Sequence, residues 1–183
     1  MEHGTILCGF GGQGLLFAGQ VLAEAALLEG RQVSWMPSYG PEMRGGTASC
    51  TVVIADHPIG SPIVDVPDSV VALNGPSMAK YEVSIAPGGL LVLNGSLIDA
   101  ASVRSDLEVL WLPCTELARR AGDDRLVSVV GLGGLLARRP IVRPASVRET
   151  ITELVGGHHP ELLDADLAAF DAGLEGAAAG ILV

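Results

Sequence analysis

The sequence is poor in aromatic residues, in cysteine and in positive charge. Aromatic side chains make up only 4% of the 183 residues, so the core must be built from Leu, Val, Ile and Ala. Acidic residues outnumber Lys and Arg by 21 to 11, and the formal net charge is −10. Because a chain this acidic repels phosphate backbones, we expect no nucleic acid partner.

The three cysteines, Cys8, Cys50 and Cys114, are far apart and form no C-x-x-C pair. Metal and iron–sulfur sites need several ligands at characteristic spacings, so we predict no metal site in this chain. The four histidines also lack such spacing and are interpreted as exposed or capping residues. A sparse, odd number of cysteines is typical of reduced thiols in a cytosolic protein.

No segment has the length or composition of a membrane span. The longest apolar stretch, Leu15 to Leu28, is too short and contains Gln20 and Glu24. The N-terminus has no basic residues ahead of an apolar run, so no secretory signal is predicted. We therefore expect a cytoplasmic protein without a membrane partner.

The pattern of the chain alternates between strand and helix, and the length fits one domain. Strands are predicted at residues 5–10, 32–36, 47–55, 69–73, 89–94 and 107–112, and helices at 15–29, 76–81, 116–121, 126–139, 146–155 and 161–174. This alternation is typical of a three-layer α/β/α domain with a mainly parallel or mixed sheet. Residues 1–183 are predicted to form one such domain.

Glycines inside the helix predicted at 126–139 need a separate explanation. Gly131, Gly133 and Gly134 each weaken a helix relative to alanine. We interpret them as points where this helix packs closely against another element. The acidic residues from Glu149 to Glu175 are interpreted as solvated helix faces.

Gly9 to Gly14 (GFGGQG) matches G-x-G-x-x-G between a predicted strand and a predicted helix, which makes a Rossmann-like first turn. Glycine permits positive φ and the close approach of a phosphate or of another backbone. The N–H groups and the dipole of the following helix favour an anion there. The candidate cofactor-binding residues are Gly9, Gly11, Gly12, Gln13 and Gly14.

Three interpretations of this turn stay open. A dinucleotide-binding enzyme usually has an acidic residue at the end of its second strand to hold the ribose, but Trp35 to Ser38 contain none. An anion or a partner chain could instead lie against the exposed backbone. The glycines could also serve only tight packing of helix on sheet. The Gln13 amide, which both donates and accepts, favours a functional role.

A second glycine-rich segment, Pro37 to Gly46, is predicted to be a loop at the same edge of the sheet as the first turn. Open α/β sheets bind ligands at that edge. Arg44 could clamp a phosphate or carboxylate, or could pair with Glu42 and shape a surface loop. The candidate ligand or subunit-interface residues are Ser38, Tyr39, Gly40, Glu42, Arg44, Gly45 and Gly46.

Together, the two segments resemble the gamma subunit of 2-oxoacid:ferredoxin (acceptor) oxidoreductases. GFGGQG precedes an alanine-rich helix, and SYGPEMRGG precedes a strand; Pro62 to Asp68 and Val70 to Leu73 continue the similarity. The resemblance covers Gly4 to Leu136. The C-terminal part departs from it, since Asp166 stands where the family often has asparagine.

The resemblance implies a subunit without catalytic residues, in a complex that oxidatively decarboxylates a 2-oxoacid to an acyl-CoA. It implies that thiamine diphosphate, magnesium and iron–sulfur clusters are held by partner subunits of alpha, beta and delta type, which pass electrons to ferredoxin. A coenzyme A contact, a dimer of heteromers and an inactive isolated chain are further implications. The alternatives are an autonomous dinucleotide-binding oxidoreductase and a purely structural assembly subunit.

Overall fold

A computed structural model describes residues 1–39, 47–179 and 181–182, and these residues contain a seven-stranded sheet. The strands are β1 (Glu2–Phe10), β2 (Gln32–Tyr39), β3 (Thr47–Ala55), β4 (Ser69–Ala72), β5 (Leu90–Asn94), β6 (Glu108–Leu112) and β7 (Ile181–Leu182). Their spatial order is β2-β3-β1-β4-β5-β6-β7.

Most strands of this sheet point the same way. β1, β4, β5 and β6 pair in parallel, whereas β3 is antiparallel to both β1 and β2, and β7 is antiparallel to β6. Five of the seven strands, β2 included, therefore share one direction. The prediction of an α/β fold with a mainly parallel, mixed sheet is confirmed.

Six helices accompany the sheet in the described part of the chain. They are α1 (Leu15–Leu28), α2 (Gly75–Tyr81), α3 (Cys114–Ala121), α4 (Val127–Arg138), α5 (Pro144–Gly156) and α6 (Leu163–Ala179). None of them has the length and apolar character needed to cross a bilayer.

The two faces of the sheet carry unequal layers. Side chains alternate along each strand, so Leu7 and Val71 enter a large aliphatic core with α1, α3, α4, α5 and α6. Ile6 and Val70 enter a smaller core with α2 and the segment 82–107. β4 and β5 are buried at every position, which explains their continuous apolar sequences.

The α4 glycines mark close packing, as predicted. A Cβ at Gly133 would overlap the carbonyl oxygen of Phe170 in α6, and one at Gly134 would overlap the side chain of Leu112 in β6. A Cβ at Gly131 would lie 2.6 Å from a methyl group of β4. The absence of side chains therefore lets α4 contact the sheet and α6 at once.

The segment 37–39 corrects a predicted boundary. Pro37, Ser38 and Tyr39 continue β2 instead of beginning a loop. β2 lies at the edge of the sheet, where a residue without an N–H is tolerated in a strand. β2 and β3 form an antiparallel hairpin, which the alternation of strands and helices did not predict. β7 was also missed, because two residues are too few to show a period.

Candidate functional site

The glycine turn follows β1 directly and opens α1. Gly12 (φ +93°) and Gly14 (φ +72°) adopt the left-handed backbone region that favours glycine. Phe10, Gly11 and Gly12 are exposed, so the tip of the turn faces solvent. The strand–turn–helix context predicted for the motif is therefore present.

Gln13 shapes this turn from within. Its Oε1 accepts a hydrogen bond from the backbone N–H of Phe10 at 2.6 Å. A Cβ at Gly9 would overlap that same oxygen, so Gly9 leaves room for the Gln13 side chain. The carbonyl end of Gln13 is therefore occupied by the turn itself and is not directed at a ligand.

The N-terminus of α1 is suited to a negatively charged group. A Cβ at Gly14 would lie 2.6 Å from the carbonyl oxygen of Arg125 and 2.9 Å from Ser128 Oγ, so only glycine fits there. Within the described residues, no side chain caps this helix start, and its first turn contains no acidic residue. Its N–H groups and its dipole therefore favour an anion.

At this edge, two neighbouring strands lead into helices on opposite faces of the sheet. β1 and β4 are parallel neighbours, with Cys8 opposite Ala72. β1 leads into α1 on the larger core, whereas β4 leads into α2, whose Met78 lies in the smaller core. Ligands of open α/β sheets bind in the crevice at such a switch point. The candidate site therefore lies between the glycine turn and the start of α2.

Asn74 is a residue of this edge that the sequence-based prediction missed. Its Oδ1 accepts the N–H of Ser77 at 2.9 Å and thereby caps α2. The residue is only 3% exposed, and its Nδ2 has no partner among the described residues. A buried donor without a partner is unfavourable, so a phosphate or carbonyl oxygen would stabilise it. The repeat of Leu-Asn-Gly at 73–75 and 93–95 could have identified it.

The end of β2 reaches the same edge of the sheet, as predicted. Gly9 of β1 and Tyr39 of β2 both pair with Ala48 of β3. The glycine turn and Tyr39 are thus two strand spacings apart, which is roughly 10 Å. Ser38 is exposed beside Tyr39 in β2. Five further predicted residues lie outside the described part of the chain: Gly40, Glu42, Arg44, Gly45 and Gly46.

A cavity of about 490 Å³ lies on the other side of Gly14. We call it the Asp166 cavity; its walls come from α1, α5, α6 and the segment 123–126, with Phe17, Leu126 and Leu154 among them. Asp166 is only 5% exposed, which corrects its interpretation as part of a solvated helix face. Burial, together with the charge of Asp123, raises the Asp166 pKa to about 6, against the opposing charge of Arg125.

The cysteines are buried and chemically quiet. Cys8 lies in the smaller core, and Cys50 and Cys114 in the larger one. Burial raises the pKa of Cys50 to about 11 and of Cys114 to about 12, and the Cys8 pKa is raised further still. Since the thiolate is the reactive form, we infer three structural thiols. Residues 1–39, 47–179 and 181–182 contain no group of three or more potential metal ligands.

The fold and this edge define a class of protein: an α/β domain with a mixed sheet and an exposed, anion-favouring glycine turn. The structure matches the keto/oxoacid ferredoxin oxidoreductase gamma subunit from Geobacter sulfurreducens with a TM-score of 0.86 over 98% of both chains, at 26% identity. The model of the pyruvate ferredoxin/flavodoxin oxidoreductase family matches residues 5–176. The chain therefore belongs to that family, which confirms the resemblance to its gamma subunits.

Relatives in this family differ in length. The chain is 40% identical over 170 residues to the ketoisovalerate oxidoreductase subunit VorA of Methanothermobacter thermautotrophicus, covering 92% of this chain but 35% of that protein. It is 34% identical over 176 residues to the 2-oxoglutarate synthase subunit KorC of the same organism, covering 92% of each. The chain thus spans about a third of VorA and nearly all of KorC.

Proposed function

We propose that this chain is the gamma component of a multi-subunit, thiamine-diphosphate-dependent 2-oxoacid:ferredoxin oxidoreductase. In this proposal it contributes assembly and access for coenzyme A, and partner subunits perform the decarboxylation and electron transfer. The observation that carries the proposal is the exposed glycine tip at the N-terminus of α1, which no described side chain caps, next to the switch point of the sheet.

The chemistry of this edge suits the phosphates of coenzyme A. The N–H groups at the start of α1 favour an anion, and no acidic residue of the first helical turn opposes it. Asn74 Nδ2, which has no partner in the described part of the chain, adds a donor at the beginning of α2. Gly9, Gly11, Gly12, Gln13 and Gly14 would form this contact, and the end of β2 at Ser38 and Tyr39 would continue the surface toward coenzyme A or a catalytic subunit.

We assign the redox and thiamine chemistry to partner chains. The three cysteines are buried in two separate cores, so they do not meet to hold an iron–sulfur cluster. Thiamine diphosphate, magnesium and the clusters would belong to subunits of alpha, beta and delta type, in a cytoplasmic dimer of heteromers that reduces ferredoxin. The isolated chain is then expected to be inactive.

An autonomous dinucleotide-binding enzyme is the second candidate, and its support is the glycine motif. In a dinucleotide fold the strand after the first helix lies beside β1 and carries the ribose-binding acid. Here β3 separates β2 from β1, and Gln32 to Tyr39 contain no acidic residue. Calorimetric titration of the isolated chain with NADH and NADPH tests this candidate. Sub-micromolar binding with hydride transfer would support an autonomous enzyme over the proposed gamma component.

Purification of the tagged chain from its native cell tests the proposed assembly. We expect thiamine- and cluster-binding subunits to co-purify with it. Recovery as a lone monomer would contradict the proposed function.

The coenzyme A role is tested in the reconstituted complex with Gly11→Asp. A negative charge on the tip of the turn should raise the KM for coenzyme A by about tenfold while kcat changes little. Gly60→Asp is the matched control, because Gly60 is also exposed and a Cβ there would meet nothing within 4 Å. An unchanged KM together with weaker assembly would instead support a purely structural subunit.

A further inference from the structure

The Asp166 cavity combines apolar walls with a largely buried acid that forms no ion pair in the described part of the chain. Phe17, Leu126, Leu154 and Val155 line it, and its volume of about 490 Å³ lies within the range of small-molecule sites. It opens beside Gly14 on the face of the sheet that carries the larger core, between α1, α5 and α6. It is therefore distinct from the crevice between the glycine turn and α2.

Asp166 is the group that distinguishes this cavity. It lies in the first turn of α6 and is only 5% exposed. Arg125 is the cation that lines the same cavity, but its guanidinium is bonded to Asp123 at 2.6 to 3.1 Å. Within the described residues, the Asp166 carboxylate forms no ion pair. Asp166 is largely buried and lines the cavity, so its carboxylate is poorly hydrated and a cation that reached it through the cavity would be stabilised.

Two histidines also line the cavity, but within the described residues neither forms an ion pair with Asp166. His158 and His159 lie on the exposed connection after α5, and His159 Nδ1 is 3.4 Å from a Glu161 carboxylate oxygen. Asp123 contributes a second negative charge near Asp166. An occupant of this cavity therefore needs an apolar body and one positively charged hydrogen-bond donor.

We propose that the Asp166 cavity binds a small organic ammonium ion, with its apolar body against Phe17 and Leu154 and its ammonium group on Asp166. The ammonium group forms a charge-assisted hydrogen bond to the carboxylate, and the apolar walls exclude water from it. A carboxylate or phosphate ligand is rejected, because it would bring a second negative charge to Asp166.

Calorimetry on the full chain with three matched probes tests this assignment at about pH 8, where the carboxylate is ionised. The probes are 4-phenylbutylamine, 4-phenylbutan-1-ol and 4-phenylbutyrate, which share an apolar body. We expect the amine to bind about tenfold more tightly than the alcohol, and the carboxylate to be weakest. Equal affinity for all three, or no binding of the amine, would overturn the proposal.

Two isosteric variants separate Asp166 from the overall negative charge of the chain. Asp166→Asn should remove the preference of the cavity for the amine over the alcohol. Asp164→Asn removes an exposed charge from the same helical turn and should leave that preference intact. An equal loss in both variants would mean non-specific attraction of a cation to an acidic protein, and would refute the site.

The pH dependence and the assembled complex give two further readouts. Because the Asp166 pKa is raised to about 6, amine affinity should fall as the pH is lowered through that value and the carboxyl becomes neutral. Affinity that stays constant between about pH 8 and pH 5 would contradict the proposal.

The amine should also bind the complete oxidoreductase. Loss of binding in the complex would show that a partner side chain fills the cavity instead.

Discussion

Two glycine-rich regions of this protein look alike in sequence and differ in physical origin. In the turn at Gly9 to Gly14, two glycines adopt positive φ, and the tip of the turn is exposed. In α4, Gly131, Gly133 and Gly134 have helical backbone and are buried. The turn needs glycine mainly for its backbone conformation, whereas α4 needs it for close packing.

The difference separates the region that is available for function from the one that is not. All residues of α4 from Val127 to Leu136 are buried, so its glycines bring helix and sheet together and are not accessible to a ligand. The tip of the turn at Gly11 and Gly12 lies beside solvent, where an anion or a partner can reach its backbone. Gly14 needs to be glycine for both reasons, because it has positive φ and also packs closely against the backbone of Arg125.

The largest effect is expected at the contact between α4 and α6. In Gly173→Ala, the added methyl group would overlap the carbonyl oxygen of Val130 and force the two helices apart. We expect a loss of about 3 kcal/mol in the free energy of unfolding, measured by urea denaturation. Gly60→Ala, in open space, should remain near the wild-type value. Equal stability of the two variants would mean that α4 and α6 can separate without penalty.

Within the turn, Gly14→Ala should cost more than Gly12→Ala. Both variants strain a backbone with positive φ, but only the methyl group at position 14 meets a carbonyl oxygen, at 2.6 Å. We expect losses of about 2 kcal/mol for Gly14 and about 1 kcal/mol for Gly12 in the free energy of unfolding. If Gly12→Ala were the more damaging of the two, steric contact would not distinguish these positions.

The C-terminal end of α1 contrasts with its uncapped start. Burial alone would raise the pKa of Glu29, but hydrogen bonds from Arg143 N–H at 2.7 Å and Ser146 O–H at 2.8 Å outweigh it, and the net shift is downward. Because its pKa is lowered, ionised Glu29 stabilises the fold at pH values above its ordinary pKa of 4.5. This stabilisation is lost as the pH falls through the pKa of Glu29 in the folded state.

Urea titrations between about pH 6 and pH 3 measure this contribution. Glu29→Gln should reduce the stability lost over that interval by about 1.5 kcal/mol. Glu153→Gln, an exposed glutamate of α5, should follow the wild-type profile. Identical pH profiles for all three proteins would mean that Glu29 does not hold α5 against α1.

The smallest effect on stability is expected at Gln13. Two variants of this residue distinguish the conformation of the turn from its charge. Gln13→Ala removes the acceptor for Phe10 N–H and should lower the free energy of unfolding by about 1 kcal/mol. Gln13→Glu keeps an acceptor there but places a negative charge at the start of α1. It should keep the stability while raising the KM for coenzyme A in the complex. An unchanged KM in Gln13→Glu would leave the turn with a structural role only.

Much of the fold was predictable because its elements are locally encoded. The strand at Thr47–Ala55 and the start of α1 at Leu15 agree with the prediction, since apolar runs, glycine and helix periodicity mark them. The hairpin of β2 and β3 was not predictable, because Pro37 is ordinarily a sign of a loop and is tolerated here only at a sheet edge. β7 is too short to carry a pattern.

The candidate site likewise has a part that was predictable from the sequence and a part that was not. The glycine turn is recognisable because its residues are contiguous, and its exposure follows from its position between strand and helix. Asn74 was missed because its importance depends on an unpaired buried Nδ2, which the chain alone does not reveal. Asp166 was taken for a surface residue, because the walls that bury it come from α1, α5 and the segment before α4.

The sequence by itself determined the class of fold, the glycine turn and the family, since each depends on local patterns and on the order of motifs. Only the tertiary structure decided which strands are neighbours, which glycines pack helices and which acid is buried. Those properties arise from contacts between segments far apart in the chain, such as Gly133 with Phe170 and Glu29 with Arg143. Packing and desolvation act across such distances, and a linear pattern does not record them.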